Sequence, residues 1–215
     1  MAANNSTQIN QFTRSFTNSI AYRARIDPAF ELDEQGQRIL EKTFEQTRGN
    51  AMQEPFFSIR QRLCSLAETY ASDNSVTPYS YQCLADSHTF LNACVEQNII
   101  NKNYMTLSVG DVSMDGTPIF NASRTSLSEA MRNGISTVDA PAFHVWLTLA
   151  DMTVIDLTLI SLLEHRDINL YPADKTLSSE KPQAIIWRPE RKGRLNYHPV
   201  LSDDDFLSRL QRPAH

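Results

Sequence analysis

Long apolar runs are missing from this chain of 215 residues. None approaches the stretch of about 18 that crosses a bilayer, so no membrane partner is expected. Clustered basic charge is missing too. Lys and Arg number 20 against 25 Asp and Glu, for a net charge of −5, with both signs spread along the chain. A nucleic-acid binder concentrates Lys and Arg into a stripe, and that class is set aside. The opening residues MAANNSTQINQFTRSFTNSI lack the apolar core of a secretory signal, which argues against Sec-type export. Cysteine is scarce. Cys64, Cys83 and Cys94 are too few and too oddly numbered for a disulfide framework, and none belongs to a C-x-x-C pair. A reducing, cytoplasmic location without structural zinc is the simplest expectation. Acidic residues are absent before Asp27, and the preceding stretch is rich in Asn, Ser, Thr and Gln. Such composition occurs in bacterial proteins exported without a cleaved signal, injected effectors included, and equally in plain polar termini.

What is present is the balance of a folded globular protein, 41% hydrophobic and 21% charged residues. No repeat, linker or low-complexity block divides the chain. One domain over residues 1–215 is expected, with a helical part over 1–78 and a catalytic core over 79–215.

The first part reads as helical. Ile9, Phe12, Phe16 and Ile20 share one stripe, and Leu32 to Thr47 has few breakers. Pro55 is suited to open a helix in which Phe56, Ile59, Leu63, Leu66 and Tyr70 recur at helical spacing, with Cys64 as a small buried hydrophobe beside them. A further helix runs from near Ser80 to about Gln97. Strand signals then take over: Tyr104–Val109, a turn at Asp115-Gly116, a return over Pro118–Phe120, and strands near Ala142–Leu149, Thr153–Thr158, Ala184–Trp187 and Leu195–Val200. Ser126 to Glu129 has the form of a capping box for a short helix that Gly134 ends, and another short helix runs through Leu163. Ser202 followed by three Asp residues suggests the start of a last helix to about Leu210. Helices first and a mainly antiparallel sheet afterwards make an α+β fold.

The hairpin over Phe143–Thr158 is the most informative segment. Phe143, Val145, Leu147 and Leu149 alternate with His144, Trp146 and Thr148, and Ile155 and Leu157 alternate with Asp156 and Thr158. Both apolar sets share one face only if the loop has an odd number of residues, and Ala150-Asp151-Met152 satisfies this. Asp156 then lies opposite Trp146 and diagonal to His144. Diagonal partners sit about 7–8 Å apart at the backbone, within reach of a His–Asp hydrogen bond. A carboxylate so placed fixes the imidazole tautomer and stabilises its protonated form. The same patterning also fits ordinary polar residues on a half-exposed sheet.

Cys83 lies at the start of a helix. With Ser80 as N-cap it occupies the first turn, where the helix dipole favours a thiolate and unpaired N–H groups can receive an oxyanion. Cys94 is about 16 Å further along the helix axis and cannot share that site. A thiol paired with His, and the His oriented by Asp, is the requirement for covalent catalysis by cysteine.

These residues resemble a known group. Phe143-His144-Val145-Trp146 looks like the aromatic-His-x-Trp strand of transglutaminases, Gln82-Cys83 resembles their Gly-Gln-Cys nucleophile motif, and Asp156-Leu157-Thr158 is similar to their Asp-Pro-Thr. The order Cys, His, Asp agrees. The resemblance covers about Ser80–Thr158. Tyr81, Leu84 and Leu157 stand where the family has glycine, often tryptophan, and proline. Those departures bear more on true transglutaminase activity than on the fold. The resemblance implies a papain-like core, a Cys83–His144–Asp156 triad, and a protein or peptide as substrate, with no cofactor. Gln82, Tyr79 and Trp146 are candidates for oxyanion or substrate contacts.

Hydrolysis of a peptide or isopeptide bond is the expected outcome. Glutamine deamidation or transamidation shares the same thioester and differs only in the acceptor. An interaction protein that keeps the fold without turnover is the rival reading. Other sites carry less. Asp111 to Gly116 imitates half an EF-hand loop, but Pro118 interrupts it and Ala122 stands where a bidentate Glu is needed. His88 reads as a solvated or capping residue, His165 and His198 have no patterned partner, and Asp203–Asp205 reads as a helix start.

Overall fold

The computed structural model describes residues 2–27, 29–50, 56–73, 82–133, 142–168, 170, 182–191 and 193–210. Pro55, Tyr79, Ser80 and Gly134, each given a role above, lie outside them.

Hydrophobic alternation in the second half of the chain builds an antiparallel sheet. Strands β1 (Met105–Met114), β2 (Thr117–Pro118), β3 (His144–Leu149), β4 (Val154–Asp156) and β5 (Ile185–Trp187) follow the order β2-β1-β3-β4-β5, and β6 (Leu195–Ser202) pairs with β1. The β1–β2 turn is Asp115-Gly116, both at positive φ (52° and 84°), the backbone that a two-residue hairpin needs. The β3–β4 pairing matches Leu147 with Ile155 and Thr148 with Val154. Ala150, Asp151 and Met152 form the loop, closed by Leu149 N–H donating to the Thr153 carbonyl at 2.8 Å. One further step along this register sets Asp156 opposite Trp146, as the alternation predicts.

Strand β1 continues well past Val109, the expected end, because β6 pairs its second half from Ser108 to Met114. The pairing shifts between Val109 and Gly110, a bulge that bends the strand. The sheet curls until Trp187 on β5 donates its indole N–H to the Leu195 carbonyl on β6 at 2.9 Å.

Helices cover both faces. On one lie α1 (Ala2–Ile26), α2 (Glu34–Asn50) and α6 (Leu159–His165), whose Phe12, Phe16, Phe44 and Leu163 meet Trp146, Val154 and Trp187. On the other lie α3 (Phe56–Asp73), α4 (Gln82–Glu96), α5 (Arg124–Asn133) and α7 (Phe206–Leu210), which contribute Leu63, Leu84, Leu91, Leu127 and Phe206 against Val145, Leu147 and Leu149. The fold is therefore α+β with helices leading. The face that carries His144, Trp146 and Thr148 is buried under α1 and α6 rather than half-exposed.

Three local expectations change. Helix α5 starts at Arg124, not after Ser126. Ser123 is its cap: the Ser123 hydroxyl accepts from Ser126 N–H at 3.1 Å, and the Ser126 hydroxyl accepts from Ser123 N–H at 2.9 Å, so a serine does the work assigned to Glu129. Ser202 belongs to β6 and caps nothing. The acids after it are structural ties: buried Asp203 accepts from Arg209 Nε at 2.5 Å, and Asp204 accepts from the Thr106 hydroxyl at 2.6 Å and from Leu107 N–H at 2.9 Å. Cys64 is half-buried rather than buried. Among the described residues no helix is long and apolar enough to cross a membrane.

The β3–β4 loop is anchored from below. Arg60 on α3 pairs with Asp151 at 2.7 Å, both side chains buried, and the other Asp151 oxygen accepts from Thr153 N–H at 3.0 Å. Removing one partner strands a buried charge, so Arg60→Ala is expected to cost about 3–5 kcal/mol in urea unfolding. Asp151→Ala added to it should recover part of that loss. Additive losses in the double-mutant cycle would show that the pair does not anchor the loop.

Candidate active site

Helix α4 carries Cys83 in its first turn, where backbone N–H groups have no intrahelical acceptor. The helix is seated by Leu84 and Leu91 in the core, and the Ser87 hydroxyl reaches the Val145 carbonyl on β3 at 3.5 Å. The start of β3 thereby comes to the start of α4.

His144 opens β3 and is 1% exposed. Its Nε2–H donates to Asp156 Oδ2 on β4 at 2.8 Å, the diagonal contact that the register predicts. Asp156, with no exposed surface, accepts three more bonds: from the Tyr197 hydroxyl at 2.9 Å on Oδ2, and from Thr158 N–H and Leu159 N–H at 3.1 and 3.0 Å on Oδ1. Phe120 stacks on the imidazole, centroids 4.8 Å apart and planes 7° from parallel. Phe120 is held there by its own N–H, which donates to Asp111 Oδ1 at 3.0 Å.

Burial opposes a charged ring at His144, but the charge and hydrogen bond of Asp156 outweigh it. Cys83, beside the ring, adds to the effect, and the imidazole is pushed up to about 10. Nε2 is committed to Asp156. Nδ1 is buried and has no hydrogen-bond partner among the described residues. It is thus the nitrogen left to exchange a proton with a thiol. Cys83, 7% exposed, is the cysteine beside an imidazole. The other two are structural: burial raises the Cys64 thiol and pushes Cys94 up to about 11.

The supporting candidates fare differently. Trp146, expected as a substrate or oxyanion contact, is fully buried, and its N–H donates to the Thr148 hydroxyl at 3.1 Å. Its ring lies 6.2 Å from the imidazole and is tilted 31° to it. Gln82 is turned to the Asp86 carboxyl one helical turn on, where it lowers a group that burial raises. Asn92 lies 3.3 Å from the ring of His88, and His198 does have a partner, the Ser113 hydroxyl at 2.8 Å. Asp111 serves Phe120, and Asp115 pairs with Arg194 at 2.7 Å, so the EF-hand-like stretch is a hairpin. Among the described residues, no group of three His, Cys, Asp or Glu side chains is arranged to hold a metal ion.

Gly110, Phe120 and Tyr197 escaped the sequence reading. Gly110 pairs with His144, and a Cβ there would stand 2.2 Å from the His198 carbonyl oxygen and 3.0 Å from Trp146. Tyr197 alternates correctly on its strand, but nothing local tells which carboxylate the curl brings to it. No protein-family model, curated protein or solved structure matches this chain.

Because its folded value lies above the ordinary 6.5, protonated His144 stabilises the fold fully below pH 6.5, and that stabilisation is lost as pH rises toward about 10. The unfolding free energy of the protein relative to His144→Gln should therefore fall steadily across that window. A gap independent of pH, measured by urea unfolding at several pH values, would contradict the charged pair.

Proposed function

We propose that the protein attacks an amide with Cys83, using His144 as acid and base and Asp156 as the group that orients it. The observation that supports this best is the buried imidazole held by the Asp156 carboxylate at 2.8 Å, with the Cys83 thiol beside it. A nucleophilic thiol on a helix start and its two partners on neighbouring antiparallel strands also support a papain-like, transglutaminase-like core.

The steps follow from the roles. The proton given up by Cys83 is carried on Nδ1 of the His144 imidazolium, and the sulfur forms a bond to the substrate carbonyl carbon as the C=O π electrons move to oxygen. First-turn N–H groups of α4 face the developing oxyanion. The C–N bond breaks as the imidazolium gives its proton to the leaving nitrogen, and a thioester remains. Water, deprotonated by His144, then attacks the thioester and restores the thiol. Hydrolysis of a peptide or isopeptide bond is the outcome we assign. An amine in place of water gives transamidation, and a glutamine side chain as the attacked amide gives deamidation. A catalytic free thiol suits a reducing compartment.

Limiting iodoacetamide at pH 7 followed by peptide mass mapping tests the site. Cys83 should alkylate at least about tenfold faster than Cys64 and Cys94, and His144→Ala should abolish that preference. Equal, slow alkylation of all three cysteines would leave the interaction protein as the better reading. On the catalytic reading, Cys83→Ala removes amide turnover with the urea midpoint nearly unchanged.

A further inference from the structure

We infer that Tyr197 is a positioning residue of the His144–Asp156 pair, whose phenol shares one carboxylate oxygen with the imidazole and so limits how strongly that carboxylate holds a proton on the ring. This rests on the catalytic reading above.

Both Tyr197 Oη and His144 Nε2 lie within 2.9 Å of Asp156 Oδ2. A donor on that oxygen draws off part of the charge that the imidazolium would otherwise feel. A fully exposed carboxylate would obtain such a donor from water. Asp156 is completely buried, and protein groups supply it instead.

Tyr197 is rigidly placed for this. It sits on β6 opposite Val112, and its ring meets Trp146 at 5.0 Å and Trp187 at 5.3 Å. Trp187 in turn packs on Phe12 of α1 at 5.1 Å. The phenol therefore reaches β4 across the inside of the curl from a strand that is not a neighbour of β4 in the sheet.

The charged surroundings of the ring are few. Asp156 approaches from β4, Cys83 from α4 and Tyr197 from β6. The Arg166 guanidinium, following α6, lies 5.5 Å from the Phe120 ring that stacks on the imidazole, and Asp111 on β1 holds Phe120. A general acid must release its proton to the leaving group, so an imidazolium held too tightly is a poor one. Sharing Oδ2 loosens that hold while keeping the ring in place.

The test uses Cys83→Ala protein, which removes the contribution of the thiol to the ring. Nitrogen-15 NMR follows His144 through a pH titration with and without Tyr197→Phe. The midpoint should rise by about half to one pH unit when the hydroxyl is removed, the size expected for one hydrogen bond to a charged partner. Global replacement of tyrosine by 3-fluorotyrosine makes the phenol a stronger donor and should move the midpoint down, with every side chain retained. An unmoved midpoint in both, or a fall in Tyr197→Phe, overturns the assignment to Tyr197. The two readings fail separately. If alkylation of Cys83 depends on His144 while the midpoint ignores Tyr197, only this inference is lost. If the midpoint responds to Tyr197 and Cys83 shows no His144-dependent reactivity, the catalytic reading is lost and the buried pair is structural.

Discussion

Four donors from three places in the chain converge on the Asp156 carboxylate: the His144 ring, the Tyr197 hydroxyl, and the backbone N–H groups of the adjacent Thr158 and Leu159. A carboxylate with no exposed surface depends on such partners, because burying it without them costs several kcal/mol. Each donor also ties Asp156 to an element. His144 links it to β3, Tyr197 to β6, and Leu159 to the first turn of α6. The group that orients the imidazole is thus a junction of the fold, and loss of its charge would be felt in the sheet, in α6 and at the site together.

The geometry around the ring follows a division of labour. Asp156 fixes its edge and Phe120 its face, while Gly110 leaves free the space in which a Cβ would crowd the His198 carbonyl and the Trp146 ring. None of these supports needs contact with a substrate. Cys83 arrives from the opposite helical layer, so two separately packed cores meet at the pair. The imidazole, pushed up to about 10, and the buried thiol lie where those two cores meet.

Much of this was legible in the residues because the relevant signals are local. Period-two alternation and an odd-length loop set the β3–β4 register, and the His144–Asp156 contact follows from it. The first-turn position of Cys83 and the turn at Asp115-Gly116 were legible for the same reason. Signals that depend on distant partners were not. The length of β1 is set by β6, some ninety residues later, and the burial of the His144 face is set by α1. Ser123 displaced Ser126 as a cap because each serine hydroxyl accepts the other's backbone N–H, the role a glutamate would otherwise fill. Tyr197 became a partner only through the curl. The motif marks Trp146 as a candidate substrate or oxyanion contact, and its burial depends on α1 and α6, which lie outside the motif.

The chain holds two tryptophans, and the concave side of the curl contains both. Trp146 lies 6.2 Å from the imidazole of His144, and Trp187 joins it through the ring of Tyr197. The intrinsic emission of this protein is therefore a local signal. It originates from the half of the molecule that supports His144, and a protonated imidazole is an effective quencher of a nearby indole. Light absorbed at the red edge of the protein spectrum thus reports the ionisation of the buried pair without any added label.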